Sequence, residues 1–216
     1  MNPDHNRRRL LAALAGMVVA TPTLAGKRLL ATPAQSAGPF YPPELPLDDD
    51  NDLTRVAGRE SVAAGRLTEL TGRVLNLNGR PVADARIEIW QCDANGRYLH
   101  PGDRRRVARD ENFQGHGHTT TDAAGRYRFR TIRPMPYPGR TPHIHMAVLA
   151  PQSPTLVTQL YVQGDPRNTD DFLFKRVPAE QRHLVQAEFL ATDRAGVELQ
   201  ASFDLVLGGT DGTPAG

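Results

Sequence analysis

Thr71-Gly72-Arg73-Val74-Leu75-Asn76-Leu77 is closed by Asn78-Gly79, and Ala85-Arg86-Ile87-Glu88-Ile89-Trp90 is soon followed by Asn95-Gly96. Each run is short, carries apolar or β-branched residues at close intervals, and ends near a dipeptide that tolerates positive φ, so flanking strands can reverse in few residues. The pattern recurs after Ala124 from Gly125 to Ile132, then at His143–Leu149, Leu156–Val162 and Leu199–Leu207. Short strands at that spacing predict an all-β chain built as a β-sandwich. Pro178 to Leu190 is the one stretch suited to a short helix, and no internal repeat or long charged block interrupts the series.

The bulk numbers agree. A chain of 216 residues fits one domain. Lys+Arg 26 against Asp+Glu 24 leaves a formal charge of +2, which argues against a strongly basic nucleic-acid binder and against an acidic tail. Gly 19 and Pro 18 make the chain rich in turns. Its one cysteine, Cys92, excludes an internal disulfide framework and a cysteine-based zinc cluster, so any metal must be held by nitrogen and oxygen.

Arg7-Arg8-Arg9 stands directly before Leu10 to Ala20, an apolar stretch too short to span a bilayer, with Ala25 as a cleavage point. Residues 1–25 therefore read as an export signal. The paired arginines before a weakly hydrophobic core resemble the twin-arginine type, which implies export of a folded chain to the periplasm or beyond. Removing Asp4 and the three arginines with it cancels the whole excess of positive charge. From residue 26 to 67 the sequence is proline-rich and then acidic at Asp48-Asp49-Asp50, without sustained periodicity. That segment is expected to be an extended arm lying over a body formed by residues 68–216.

His143-Ile144-His145 opens an apolar run continuing to Leu149. On a strand the two imidazoles share a face while Ile144 points the other way, a geometry that can put two nitrogens on one metal. Satisfied surface or core histidines are the commoner meaning of such a pair. His116-Gly117-His118 has the same spacing, but glycine on each side of His116 and no apolar continuation suggest a loop that supports a site rather than forming one. Tyr98 follows the Asn95-Gly96 turn, and Tyr137 lies between prolines in Pro136-Tyr137-Pro138, where a restricted backbone can aim a phenol. Taken singly, each tyrosine also reads as a turn aromatic covering the core.

Thr71-Gly72-Arg73-Val74, Gly79-Arg80-Pro81-Val82, Ile87-Glu88-Ile89-Trp90-Gln91, Gly96-Arg97-Tyr98-Leu99-His100, Pro136-Tyr137-Pro138, His143-Ile144-His145 and Thr158-Gln159-Leu160-Tyr161 succeed one another in an order that resembles the intradiol ring-cleavage dioxygenases. Thr32-Pro33-Ala34-Gln35 and Gly38-Pro39-Phe40-Tyr41-Pro42 resemble that family's leading segment. The resemblance implies that Tyr98, Tyr137, His143 and His145 are ligands of a non-haem Fe(3+). It implies that Tyr137 also takes up a substrate proton, that Arg140 stabilises a carbanion-like substrate, and that Trp90 and Gln159 line the pocket. The reaction implied is insertion of O2 into a catechol-type aromatic with cleavage between the two hydroxylated carbons, giving a muconate-type diacid. Phenolate is a good donor to a hard cation, and a cation's charge lowers the phenol pKa from about 10.

Only Pro138-Gly139-Arg140-Thr141-Pro142 separates Tyr137 from His143, shorter than in the family's protocatechuate and catechol enzymes, so a more open site is expected. The helical linker domain of catechol 1,2-dioxygenases is absent as well, which makes the chain more similar to an iron-bearing protocatechuate-type subunit. A protocatechuate-type subunit implies assembly, either as a homo-oligomer or with a partner subunit. Gly72-Arg73-Val74 through Pro81, with Ala85 to Ile89 and Gly125-Arg126-Tyr127-Arg128-Phe129, also resembles a transthyretin-like accessory sandwich. That likeness implies a prealbumin/transthyretin-type β-sandwich with an extended N-terminal arm, and it keeps a rival reading alive: a non-catalytic binding module or a metal-binding protein.

Overall fold

The computed structural model describes residues 28–46, 48–151 and 153–208; the export-signal reading of residues 1–25 lies outside them. Ten strands dominate. The first is Leu67–Asn76 (β1), beginning four residues before the stretch that its sequence suggested. Arg86–Trp90 (β2), His116–Thr120 (β3), Arg126–Ile132 (β4), His143–Leu149 (β5) and Leu156–Val162 (β6) follow. Gln186–Ala187 (β7), Leu190–Ala191 (β8), Leu199–Ser202 (β9) and Leu205–Leu207 (β10) complete the set.

The strands form two five-stranded sheets. In one, β1 pairs antiparallel with β4 along most of its length, and parallel with β9 through its first half and with β10 through its last residues. The break between β9 and β10 is where the single strand expected at Leu199–Leu207 divides. The other sheet runs β3-β2-β5-β6-β7, antiparallel from β3 to β6, with β7 parallel to β6. Both sheets feed one core: Leu70, Val74, Phe129 and Ile132 from the first meet Ile87, Ile89, Ile144, Met146, Val148 and Leu160 from the second. Burying each of the larger aliphatic side chains stabilises by about 2 kcal/mol, and alternation along the strands selects which residues contribute.

Helix is scarce. Phe172–Arg176 (α1) has five residues and is capped by Asp171, whose side chain accepts from Leu173 N and Phe174 N. It precedes the region expected to be helical, which instead holds the 3₁₀ turn Ala179–Val185. No helix among the described residues is long and apolar enough to cross a membrane.

The described residues between 28 and 66 form no regular strand or helix, yet they are tied to both sheets. Thr32 N donates to Val206 O and Gln35 N to Val157 O, linking β10 to β6. Further on, His118 N donates to Asp49 O, Arg130 N to Asn51 O and Leu53 N to Arg130 O, so residues 49–53 run between the edge strand β3 and β4. Leu53 enters the core with no exposed surface. Two otherwise open strand edges are thereby covered.

One expectation is corrected here. His116-Gly117-His118 is strand, not loop: it forms most of β3 and pairs with β2 through Trp90↔His116 and Glu88↔His118. Gly117 serves packing rather than flexibility, because a Cβ there would fall inside the van der Waals shells of Asp50 O and Leu53 Cδ1.

Candidate metal centre

Both faces of β5 are buried, for different reasons. Ile144, Met146 and Val148 enter the core, while His143, His145 and Ala147 point to the opposite face of the sheet. Register sets the neighbours on that face: His145 stands beside Trp90 on β2 and Gln159 on β6, and His143 beside Tyr161. The Trp90 and His145 rings stack 4.9 Å apart and 5° from parallel, which fixes the imidazole's plane. Trp90 and Gln159, the two residues expected to line a pocket, thus flank His145 in the sheet.

Two loops bring the phenols over this face. Tyr98 is held in the β2–β3 connection by carboxylates: Asp93 accepts from Asn95 N and Arg97 N, and Asp103 accepts from Tyr98 N at 2.9 Å. Phe40 stacks on the Tyr98 ring at 4.8 Å, so the leading segment forms a wall of the site. Tyr137 belongs to the β4–β5 connection, which closes through Arg140 N donating to Tyr137 O at 2.9 Å. Its ring meets Tyr98 edge-on at 5.5 Å and His143 at the same separation. Among the described residues no three His, Cys, Asp or Glu side chains gather as a metal site; the donors here are two imidazoles and two phenols. Cys92 is not among them, since its buried thiol lies against Met135 O at 3.3 Å and burial pushes its pKa up to about 12.

The donor atoms converge. His143 Nε2 lies 3.2 Å from His145 Nε2 and 3.4 Å from the Tyr98 hydroxyl. His143 Nδ1 is 2.6 Å from Thr141 O, a contact that requires Nδ1 to carry the proton and leaves the Nε2 lone pair facing the centre. Burial, aided by Arg140, lowers the His143 pKa to about 3, and burial with the neighbouring His143 holds His145 well below the usual range. Both rings are therefore neutral donors at ordinary pH.

The phenols show the opposite need. Burial raises Tyr98 well above the usual phenol value and raises Tyr137 as well, the latter against the pull of Arg140. Even with Arg140 beside Tyr137, both keep their protons at ordinary pH unless a more strongly charged cation binds. Two imidazole Nε2 atoms meeting at one point and two phenols that ionise only beside strong positive charge fit a hard, highly charged metal ion. For ligand bonds of roughly 2.1 Å, donors subtending near right angles at an ion sit about 3 Å apart, in line with the observed separations.

Arg140 is buried beside this group. Its Nη1 donates toward the Tyr137 hydroxyl at 3.3 Å, its Nη2 to Gln159 Oε1 at 2.5 Å, and its Nε to Asp171 Oδ2 at 2.8 Å. Sequence reasoning found Arg140 but not Asp171, nor Arg105, whose guanidinium lies 5.2 Å over the Tyr137 ring while paired to Asp103. The signal for Asp171 was local: an aspartate followed by Phe172-Leu173-Phe174 has the form of a helix cap. Next to the centre a cleft of about 870 Å³ opens against Tyr98, bounded by Pro43, Leu45, His100 and Arg109 among others. His100 and His183 stand apart from the donor group; the Nδ1 of His100 accepts from Gly102 N.

Comparison with known proteins supplies the chemical context. The Dioxygenase family model matches residues 36–209. The protocatechuate 3,4-dioxygenase beta chain of Burkholderia cepacia is 41% identical over 174 residues, covering 76% of this chain and 74% of that protein. Hydroxyquinol 1,2-dioxygenase of Corynebacterium glutamicum is 37% identical over 155 residues, covering 63% of this chain and 48% of its own length, so the chain spans about half of that relative. Among solved structures, the dioxygenase domain of a dioxygenase–carbohydrate-binding fusion from Streptomyces sp. SirexAA-E superposes with a TM-score of 0.62 at 31% identity, covering 82% of this chain and 98% of that one. Matches of this extent to enzymes decide against the non-catalytic module. The chain belongs to the intradiol ring-cleavage dioxygenases.

Proposed function

We propose that this chain uses non-haem Fe(III), held by Tyr98, Tyr137, His143 and His145, to insert O2 into a catechol-type aromatic and cleave the bond between its two hydroxylated carbons, giving a muconate-type diacid. The observation that carries the proposal is the convergence of His145 Nε2, at 3.2 Å, and the Tyr98 hydroxyl, at 3.4 Å, on His143 Nε2, with the Tyr137 ring edge-on to that of Tyr98. When bound, Fe(III) supplies the charge that ionises both phenols and draws the catechol oxygens to the site.

The remaining work falls to the protein. Tyr137, less buried than Tyr98, would meet the substrate as a phenolate, take up on its oxygen a proton from a catechol hydroxyl and become a neutral phenol. Arg140 Nη1 stays beside that oxygen and stabilises the negative charge gathering on the ring. Trp90 keeps His145 in plane, and Gln159, anchored by its amide to Ser36 O at 3.0 Å, keeps Arg140 aimed inward. The five residues between Tyr137 and His143 make a low wall, which favours a bulky catecholic substrate over a small one.

The finer fold reading is a prealbumin/transthyretin-type sandwich with residues 26–67 as its arm. We further infer that residues 1–25 direct export by the twin-arginine route; N-terminal sequencing of protein recovered from the periplasm tests this, and an intact N-terminus there would refute it. For the enzyme itself, the purified protein is expected to be burgundy from tyrosinate-to-iron charge transfer and to consume O2 with catechols. Arg140→Ala should keep the colour while slowing turnover about 100-fold. Colourless protein carrying zinc, or products cleaved outside the diol, would overturn the assignment.

A further inference from the structure

Arg140 does not hold its own orientation. Asp171 caps α1 with Oδ1, which accepts from Leu173 N at 3.0 Å and Phe174 N at 2.9 Å. Its other oxygen, Oδ2, accepts from Arg140 Nε at 2.8 Å and from Thr141 N at 3.0 Å. One carboxylate thus ties a five-residue helix to the loop between Tyr137 and His143. The ion pair is buried, with 7% of the Arg140 side chain and none of the Asp171 side chain exposed.

A guanidinium is planar, so fixing Nε and the plane through it also fixes where both Nη atoms point. Here Nη1 is directed at the Tyr137 hydroxyl and Nη2 at Gln159 Oε1. The same region is braced a second time by Thr141 Oγ1, which donates to Asn168 Oδ1 at 2.7 Å, and by Asn168 Nδ2, which donates to Val162 O. Capping alone explains Oδ1 but not Oδ2: a helix of one turn and a half needs a short acceptor at its start, and serine supplies that as well as aspartate.

We propose that Asp171 is a positioning residue for ring cleavage, holding Arg140 with Nη1 directed at the Tyr137 hydroxyl and so toward the anionic aromatic ring. The inference rests on the ring-cleavage reading and on the part assigned there to Arg140. Asp171 touches neither substrate nor the donor atoms; it acts through the guanidinium it orients.

The test is Asp171→Ser, which keeps an acceptor for the helix N–H groups and removes the one that Arg140 uses. In the iron-loaded full chain kcat should fall about 30-fold with KM within about threefold, because the lost alignment matters most as charge develops. The visible charge-transfer band of the substrate-free protein should move, since the hydrogen bond to Tyr137 changes. In an Arg140→Ala background the same substitution should add less than about twofold. A variant with wild-type kcat and an unmoved band, or a penalty that multiplies with that of Arg140→Ala, would overturn the proposal. Should the variant fail to fold, the unsubstituted full chain loaded with Ga(III) decides the matter: a slowly exchanging Arg140 Nε–H in its NMR spectrum supports the clamp, and a rapidly exchanging one refutes it. If the wild-type chain turns over no catechol, the ring-cleavage reading fails; if it does and Asp171→Ser matches it, only the positioning role fails.

Discussion

The chain contains two His-x-His pairs in one sheet, on strands separated only by β2, and they have different fates. In His143-Ile144-His145 the Nε2 atoms approach to 3.2 Å and two phenols close over them. In His116-Gly117-His118 the rings part: His116 is fully buried with neither nitrogen hydrogen-bonded, while His118 Nδ1 meets Asp49 O at 2.7 Å. Spacing is identical, so spacing does not make the site. The middle residue and the covering loops do. Ile144 drives β5 into the core and leaves its other face to be roofed by Tyr98 and Tyr137, whereas Gly117 lets residues 49–53 close down on an edge strand.

The sharpest way to break this contrast is to remove one imidazole from each pair. His145→Ala should lose iron and colour and reduce O2 uptake by more than about 100-fold, since a direct ligand counts for more than the supporting contacts worth 10–100-fold. His116→Ala should keep iron stoichiometry and turnover within about threefold. Metal analysis and oxygen uptake on both variants suffice. Equal iron loss from the two would mean that β3 belongs to the centre and that the division drawn between the pairs is wrong.

Much of this was legible in the sequence because it follows from alternation. The apolar run after His143 placed Ile144 in the core and both imidazoles on one face, and His143–Leu149 and Leu156–Val162 are the strands found. Flanking prolines marked Tyr137 as a phenol on a restrained loop. What stayed hidden depends on partners distant in sequence. β3 lacks an apolar period of its own, and it is a strand because β2 pairs with it on one side and the 49–53 segment covers the other. Asp171 is invisible for the same reason: a cap can be read locally, but a bond to Arg140 across 31 residues cannot. The β9–β10 break escaped notice because both strands continue the same pairing along β1.

The second contrast concerns the middle residues, and its effect is on stability. Gly117→Ala forces a methyl group against Asp50 O and the Leu53 side chain, and backbone cannot yield as a flexible side chain can. Overpacking of this kind should cost about 3 kcal/mol, read as a lower midpoint in urea. Iron content per folded molecule should not change, because the strain falls on the strap over β3 and not on β5. A wild-type midpoint would show that the 49–53 segment is not seated on Gly117.

The smallest effect separates the pairs by charge. The donors on β5 are neutral imidazoles, whereas the β3 pair faces Glu88, a carboxylate with 7% of its surface exposed. The His116 imidazole beside it, with Arg86 and the Tyr41 hydroxyl, holds the Glu88 pKa down to about 2 against the upward push of burial. His116 Nε2 stands 3.9 Å from the carboxylate, while Tyr41 donates a hydrogen bond at 2.8 Å and Arg86 one at 2.7 Å. A carboxylate whose pKa is lower in the folded chain than in the unfolded one stabilises fully above the ordinary value of 4.5, and that contribution disappears as pH falls toward 2. Glu88→Gln removes the titration, so its stability should fall less steeply than that of the wild type between those limits, by on the order of 2 kcal/mol across the window. Urea unfolding at a series of pH values measures the difference. Parallel curves would place the acid sensitivity elsewhere and leave β3 with packing alone, while a flattened curve would make Glu88 the ionic anchor of the strand whose histidines do not form the site.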